Sequence, residues 1–197
     1  MAGIVSKFIV GIDEAGRGPL AGPVVAAAVI LNPLRPILGL TDSKKLTEKK
    51  RAALFDEIRH SALVWSVARA TVAEIDTINI LQASLLAMQR AVNRLPIMPD
   101  LALVDGNKAP WLACETRTII QGDLLEPAIS AASIVAKVLR DRAMCLLDRI
   151  YPDYGFAQHK GYGTLYHREM ITKFGICRAH RRSFAPVAQR QLIAEID

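Results

Sequence analysis

Acidic residues come directly after three apolar segments that the sequence predicts to be β-strands: Asp13 with Glu14, Asp105, and Asp123. Ligand sites in open α/β sheets gather at the ends of strands, so we expect these carboxylates to lie close together. Carboxylates at short distance repel one another unless they are protonated or bridged by cations. A cluster made only of carboxylates prefers hard divalent ions, chiefly Mg²⁺ or Mn²⁺, over zinc. The pattern therefore predicts a divalent metal site.

A turn is the alternative explanation for an aspartate at the end of a strand. Asp followed by Gly is a common turn sequence, and this explains Asp105 taken alone. The adjacent acids Asp13 and Glu14 follow a buried strand, where they form no useful turn and cap no evident helix. The acidic pair is therefore the stronger indication of a metal site.

A glycine-rich segment, Gly16 to Gly22, follows the acidic pair. It is not a dinucleotide-binding loop, because that motif needs a helix next, whereas Pro23 and a β-branched run follow here. Glycines allow a backbone to approach a ligand closely, and the guanidinium of Arg17 matches the geometry of a phosphate. We interpret the segment as a ligand-binding loop.

The elements that must position these residues alternate in type along the chain. Apolar runs and alternation predict strands at 8–12, 24–31, 62–70, 100–104 and 116–121. Thr47 is the N-cap of one predicted helix, and a capping box at Thr71 and Glu74 begins a second. Two further helices are predicted at 130–149 and 165–173, the first before Pro152. The order predicts an α/β domain with a mixed sheet, antiparallel first and with a later crossover.

Positive charge is concentrated near the C-terminus. The net charge is +6, and residues 158–190 hold seven Lys or Arg and one acid. A polyanion partner and a solvated basic tail explain this segment equally well on charge alone. The basic residues are Lys160, Arg168, Lys173, Arg178, Arg181, Arg182 and Arg190.

Several protein classes are disfavoured by composition. No apolar run approaches the ~18 residues of a membrane span, and the first seven residues lack the pattern of a signal peptide. The three cysteines are widely spaced and without a C-x-x-C motif, which favours small buried side chains over a disulfide or zinc site. We expect a cytoplasmic protein without a membrane partner, and a monomer.

Eight blocks in order, from about residue 8 to residue 187, resemble bacterial ribonuclease HII, the type 2 ribonucleases H. Single blocks are only suggestive, whereas the series is specific. The blocks are Gly11-Ile12-Asp13-Glu14-Ala15-Gly16-Arg17-Gly18-Pro19, Asp42-Ser43-Lys44-Lys45-Leu46, Val104-Asp105-Gly106-Asn107, Gly122-Asp123, Ala131-Ala132-Ser133-Ile134-Val135-Ala136-Lys137-Val138, Arg140-Asp141-Arg142, His159-Lys160-Gly161-Tyr162-Gly163-Thr164 and His180-Arg181-Arg182-Ser183-Phe184.

The resemblance implies a ribonuclease H-like fold: a mixed five-stranded sheet flanked by helices in a catalytic domain at 1–150. A small, basic, helical region at 151–197 is then expected to complete the substrate groove without folding independently. The implied activity is endonucleolytic cleavage of the RNA strand of RNA/DNA hybrids. It includes incision on the 5′ side of single ribonucleotides in duplex DNA, with two divalent ions, and leaves 3′-hydroxyl and 5′-phosphate ends.

The resemblance also implies roles for particular residues. The metal-binding carboxylates are Asp13, Glu14, Asp105 and Asp123. Gly16, Arg17 and Gly18 contact the ribose 2′-hydroxyl, and Tyr162 packs on the sugar that follows the ribonucleotide. Lys44 and Lys45 match a lysine pair that contacts phosphates.

One departure from the family pattern concerns the fourth carboxylate. Leu124 and Leu125 follow Asp123 where many relatives are more polar, and Pro127 is expected to delay the next helix. Glu126 and Asp141 are then alternatives to Asp123 as the fourth ligand. Ser43 and Ser133 lack a nucleophile motif and are interpreted as cap or packing residues.

Two other functions compete with this interpretation. One is a metal-dependent nuclease that cleaves only DNA, such as a junction resolvase, and the other is a nucleic-acid-binding module without catalysis. The first leaves the glycine loop and Tyr162 unexplained. The second leaves the clustered acids unexplained, because negative charge disfavours phosphate binding.

Overall fold

A mixed sheet with helices on both faces organises residues 7–194, the part of the chain that this computed structural model describes. Its order is β3-β2-β1-β4-β5, with β2 antiparallel to β1 and β3, and β4 parallel to β1 and β5. The strands are β1 (Ile9–Ala15), β2 (Val24–Ile30), β3 (Val64–Ala70), β4 (Leu101–Asp105) and β5 (Glu115–Ile119). The predicted mixed five-stranded sheet is confirmed.

Helices connect the strands and form the C-terminal region. They are α1 (Glu48–Ser61), α2 (Val72–Asn93), α3 (Gly122–Leu125), α4 (Pro127–Ile150), α5 (Phe156–His159), α6 (Leu165–Phe174) and α7 (Ala185–Ala194). A 3₁₀ turn, Pro152–Tyr154, links α4 to α5. Within residues 7–194, none of these helices combines the length and the apolar character that crossing a bilayer requires.

Strand β2 is buried along its whole length because helices cover both faces of the sheet. Val24, Ala26, Ala28 and Ile30 face α2, whereas alternate residues face α1 and α4. A strand enclosed on both faces needs a continuous apolar run, and the sequence of β2 has that pattern. Its small central alanines leave room for helices on either side.

Helix α4 lies directly against β1, and Gly11 makes this approach possible. A Cβ at Gly11 would lie 2.0 Å from the carbonyl carbon of Ala128. From this contact α4 runs along the sheet and carries Ser133, Lys137 and Arg140 past the end of β1. The acidic edge of the sheet therefore lies against a rigid helix and not a loop.

Local signals in the sequence place several helix starts correctly. Lys50 donates its backbone N–H to the Thr47 hydroxyl at 3.3 Å, and Thr71 and Glu74 form the predicted capping box. Helix α2 is not continuous, since Asn79 has a φ of 67° and its side chain accepts from the backbone N–H of Gln82.

Two predicted boundaries are wrong. Strand β1 extends to Ala15, so Asp13 and Glu14 lie within the strand, where β2 continues to pair with it. Pro127 does not delay α4 but occupies its first turn. Proline suits this position because the first turn leaves backbone N–H groups without helical acceptors.

The close contact between Gly11 and α4 predicts that a larger residue at this position destabilises the folded protein. Gly11→Ala places a methyl group against the backbone of Ala128 and Ile129, so the free energy of unfolding should fall by about 1–3 kcal/mol in urea titration. Gly18→Ala is the control, because its added Cβ meets only Tyr162 at 3.8 Å. Equal stability of the two variants would contradict the role of Gly11.

Candidate active site

The side chains of Asp13, Asp105 and Asp123 meet at one edge of the sheet. Each offers a carboxylate oxygen within 4.8 Å of the other two. In the parallel pairing of β1 with β4, Ile12 lies opposite Val104, so the next residues, Asp13 and Asp105, are neighbours across the strands. Strand pairing therefore brings together two acids that are far apart in the chain.

The sequence predicted that Asp123 directly follows a strand, and this position is wrong. Asp123 reaches the edge of the sheet through a turn. After β5 the chain reverses at Gln121, which has a φ of 58°, and Asp123 lies in the first turn of α3. Its backbone N–H donates to Oδ1 of Asp105 at 3.3 Å, and its carbonyl accepts from the Ser130 hydroxyl at 2.8 Å. These bonds hold α3 against β4 and α4.

Glu14 lies beside the three aspartates but outside their group. Its Oε1 is 3.3 Å from Nη1 of Arg17, and consecutive strand residues point to opposite faces. The two alternatives for the fourth ligand also lie outside the group. Asp141 pairs with Lys137 at 2.7 Å, and Glu126 lines a pocket beside Phe8 at the start of β1.

The acidic cluster is electrostatically unfavourable when no cation is bound. Burial, and then the charges of Glu14 and Asp105, raise the pKa of Asp13 well above its usual range. Burial and Asp105 also raise the pKa of Asp123. Lys44 offsets part of this repulsion, with Nζ 3.9 Å from Oδ2 of Asp123. An all-oxygen donor set with excess negative charge fits hard divalent cations.

Two buried serines support Asp13 from behind. A hydrogen bond with Ser133 favours the ionised carboxylate of Asp13, and the hydroxyl oxygens of Ser133 and Ser43 lie 2.9 Å apart. The backbone N–H of Glu14 donates to Oδ1 of Asp13 at 2.7 Å. The serines therefore orient the carboxylate, which extends the packing role predicted for them.

The glycine loop and Tyr162 line one cavity of about 220 Å³ together with Asp13 and Glu14. The Tyr162 side chain is half-exposed, and its ring faces Gly18. Lys45 is exposed on the turn beside Lys44 and is not part of this lining. The cavity residues are Asp13, Glu14, Ala15, Gly16, Arg17, Gly18, Ser43, Lys44, Ser133, Lys137, Arg140 and Tyr162.

Arg181 holds the glycine loop from inside the protein, a role that sequence reasoning missed. Its guanidinium donates to the carbonyls of Gly16 at 2.6 Å, Arg17 at 2.9 Å and Gly22 at 2.9 Å. The side chain is fully buried, and burial lowers its pKa to about 9. Arg181 therefore belongs to the interior and not to the basic surface in which its charge was counted.

Arg140 is a second buried arginine on the same loop. It donates to the carbonyls of Ala21, Pro23 and Lys160 at 3.0 to 3.3 Å. A Cβ at Gly16, where φ is 102°, would lie 1.9 Å from Nε of Arg140, so only glycine fits. A buried arginine has no distinct periodicity in the sequence, so its inward direction was not predicted.

The sequence that builds this site matches a known protein family along most of the chain. The family model described as Ribonuclease HII matches residues 10–187. A ribonuclease HII from Verminephrobacter eiseniae (strain EF01-2) is 59% identical over 184 residues, which cover 93% of this chain and 88% of that protein. The chain belongs to the ribonuclease HII family.

Solved structures of the ribonuclease HII family and related enzymes share this fold. Ribonuclease H2 from Pyrococcus horikoshii OT3 superposes with a TM-score of 0.80 at 27% identity, covering 96% of this chain and 99% of that one. Ribonuclease HII from Archaeoglobus fulgidus, solved in a complex with PCNA, has a TM-score of 0.75 at 27% identity and coverages of 88% and 93%. Bst-RNase HIII in complex with Mn²⁺ shares the fold, with a TM-score of 0.74 at 18% identity and coverages of 98% and 71%.

Membership of the ribonuclease HII family confirms three predictions from the sequence. The resemblance is correct, the fold is ribonuclease H-like, and the chain is an enzyme, a ribonuclease H that hydrolyses phosphodiester bonds. Enzymes of the family depend on divalent metal ions, which agrees with the chemistry of the acidic cluster.

The acidic cluster predicts how the stability of the protein depends on Asp13 in the absence of metal. The pKa of Asp13 is raised in the folded state, so ionised Asp13 destabilises folding as pH rises above the ordinary aspartate range. In EDTA at pH 8, Asp13→Asn should raise the free energy of unfolding by an amount on the order of 1 kcal/mol.

Exposed Asp153 supplies the control, since Asp153→Asn should leave stability unchanged. Mg²⁺ should then raise the melting temperature of the wild-type protein more than that of Asp13→Asn, because the variant lacks one ligand. A less stable Asp13→Asn protein in EDTA would show that repulsion does not dominate at this site.

Proposed function

We propose that the chain hydrolyses the RNA strand of RNA/DNA hybrids and incises on the 5′ side of single ribonucleotides embedded in duplex DNA. The products would carry 3′-hydroxyl and 5′-phosphate ends. One observation carries the proposal: three aspartates within 4.8 Å of one another adjoin a cavity lined by both the glycine loop and Tyr162. The acids that would bind metal and the residues that would recognise the ribose therefore lie side by side.

Two Mg²⁺ or Mn²⁺ ions would be held by Asp13, Asp105 and Asp123 together with Glu14. Glu14 lines the same cavity, and its carboxylate can leave the ion pair with Arg17 to bind a metal ion. Bound divalent ions would activate a water molecule and stabilise negative charge on the scissile phosphate. The protein then needs no covalent nucleophile, which agrees with the supporting roles of Ser43 and Ser133.

The glycine loop would distinguish RNA from DNA. A 2′-hydroxyl both donates and accepts hydrogen bonds, and the Gly16–Gly18 backbone can offer both kinds of group without a side chain in the way. From the interior, the guanidinium of Arg181 donates hydrogen bonds to the carbonyls of Gly16 and Arg17, and these bonds fix the orientation of the loop. The half-exposed side chain of Arg17 can turn from Glu14 to a phosphate.

Tyr162 would recognise the step from RNA to DNA. Its exposed ring, opposite Gly18, can pack on the deoxyribose that follows a ribonucleotide. A sugar without a 2′-hydroxyl offers an apolar face to such a ring. Lys44, beside Asp123, would contact a neighbouring phosphate, and Lys45 would bind the backbone further from the cavity.

Residues 151–197 would complete the substrate groove as part of the same folding unit as residues 1–150. Arg168, Lys173, Arg178 and Arg182 expose their side chains in this region and can contact phosphates of either strand. The side chain of Arg190, which the sequence also placed in the basic segment, lies outside the described residues. Hydrogen bonds between Leu20 and Gly161 and between Gly22 and Ala179 join the region to the glycine loop.

The proposed site needs no second subunit. Its acids, loop and tyrosine all come from one chain, so we propose that the enzyme acts as a monomer. We place it in the cytoplasm, where bacterial DNA is replicated and ribonucleotides enter it.

Cleavage of three matched duplexes tests the activity. With Mg²⁺, we expect incision of an RNA/DNA hybrid and of a duplex with one ribonucleotide, at its 5′ side, and no incision of an all-DNA duplex. EDTA should abolish cleavage, and Asp105→Asn should lower kcat by about a thousandfold. Glu126→Gln is the control and should cleave normally, because Glu126 lies at the opposite end of β1.

Other outcomes point to the competing functions. Equal cleavage of the all-DNA duplex would indicate a DNA nuclease, and tight binding without cleavage would indicate a binding module. Either result would refute the proposal.

Tyr162→Ala tests the recognition of the junction. Cleavage at an isolated ribonucleotide should fall by about tenfold or more relative to cleavage within a long hybrid, since only the former presents a deoxyribose to the ring. Tyr166→Ala is a matched control, because Tyr166 is also half-exposed but lies outside the cavity. An equal loss on both substrates would mean that the Tyr162 ring has only a packing role.

A further inference from the structure

Three histidines of the C-terminal region pack together beneath the segment that carries Tyr162. The rings of His159 and His167 stack with centroids 4.4 Å apart, and Nε2 of His167 lies 3.1 Å from Nε2 of His180. His167 and His180 are fully buried. The metal chemistry described above uses none of the three.

The direction of hydrogen bonding through this group follows from its two ends. The backbone N–H of Cys177 donates to Nδ1 of His180 at 2.9 Å, so His180 carries its own proton on Nε2. That Nε2–H donates to Nε2 of His167, which places the proton of His167 on Nδ1. Nδ1 of His167 lies 2.9 Å from the carbonyl oxygen of Tyr162 and donates to it.

Both imidazoles are neutral at neutral pH, which this arrangement requires. Burial lowers the pKa of each to about 4. An added proton on Nε2 of His167 would face the Nε2–H of His180, and one on Nδ1 of His180 would face the backbone N–H of Cys177. The backbone N–H of Cys177 thus determines one tautomer for each ring, and the chain of bonds ends at Tyr162.

Side-chain and backbone donors together hold the main chain of Tyr162, because its carbonyl accepts from Nδ1 of His167 and also from the backbone N–H of Thr164 at 2.8 Å. Gly161, with a φ of 82°, and Gly163 flank it, and about half of the tyrosine is exposed, so ring packing does not fix its direction. His159 also restrains this segment. Its carbonyl accepts from the N–H of Tyr162 at 2.9 Å, and its Nδ1 accepts from the N–H of Gly161 at 3.2 Å.

We propose that His167 and His180 are positioning residues that act through the carbonyl of Tyr162 to hold its ring over the cavity. The two histidines thereby set the selectivity for RNA–DNA junctions without touching substrate. The inference rests on the proposed function, since it assigns selectivity to Tyr162. This selectivity would then depend on a buried chain of hydrogen bonds from Cys177 to Tyr162.

Two substitutions of His167 separate positioning from packing. Asn places an amide N–H near the position of Nδ1 and can still donate to the Tyr162 carbonyl, whereas Leu cannot. We expect His167→Leu to lower the ratio of cleavage at a single ribonucleotide to cleavage of a long hybrid by about tenfold. His167→Asn should retain most of the ratio. His60→Gln, at an exposed histidine of α1, should keep the wild-type ratio.

A double-mutant cycle tests whether His167 acts through Tyr162. In the Tyr162→Ala background, His167→Leu should change the ratio no further, since the ring it positions is absent. An additional, independent loss would overturn the proposal, as would an unchanged ratio in the single variant. If the wild-type protein cleaves neither substrate, the proposed function itself fails.

A spectroscopic measurement on the wild-type protein covers the case in which His167→Leu does not fold. Imidazole ¹⁵N NMR at pH 7 should show the proton of His180 on Nε2 and that of His167 on Nδ1. The opposite tautomers would mean that His167 cannot donate to Tyr162, and the proposal would be wrong.

Discussion

Mutual repulsion among buried carboxylates is the constraint on which the site depends. Asp13, Asp105 and Asp123 come within 4.8 Å of one another at an edge where burial already disfavours their ionised forms. Such an arrangement opposes folding unless cations bind, so the rest of the fold must hold it in place. The pairing of β1 with β4 and the close contact of α4 at Gly11 supply that rigidity.

Two buried arginines extend the same rigidity to the substrate loop. Within residues 7–194, neither Arg140 nor Arg181 forms a salt bridge, and their donors go to backbone carbonyls instead. Burying guanidinium groups without a carboxylate is costly, so this use indicates a requirement for precise loop geometry. Because Arg181 comes from the C-terminal region, the shape of the glycine loop depends on the folding of the segment around Arg181.

Sequence reasoning succeeded where the signal is local. The capping box at Thr71 and the enclosed strand β2 each follow from residues close together in the chain, and the mixed sheet follows from the order of strands and helices. It failed where a distant partner decides the outcome. The extension of β1 through Asp13 and Glu14 depends on pairing with β2, and the inward direction of Arg181 depends on carbonyls more than 150 residues away.

The amino-acid sequence by itself determined the family, the class of fold and the set of acids that could form the cluster. These properties are carried by residue types in order, which need no coordinates to be recognised. Only the tertiary structure decided which acids converge, because Asp123 enters through a turn at Gln121 while Glu126 and Asp141 point elsewhere. It also decided which basic residues face inward, since burial is a property of packing between distant segments and has no fixed spacing along the chain.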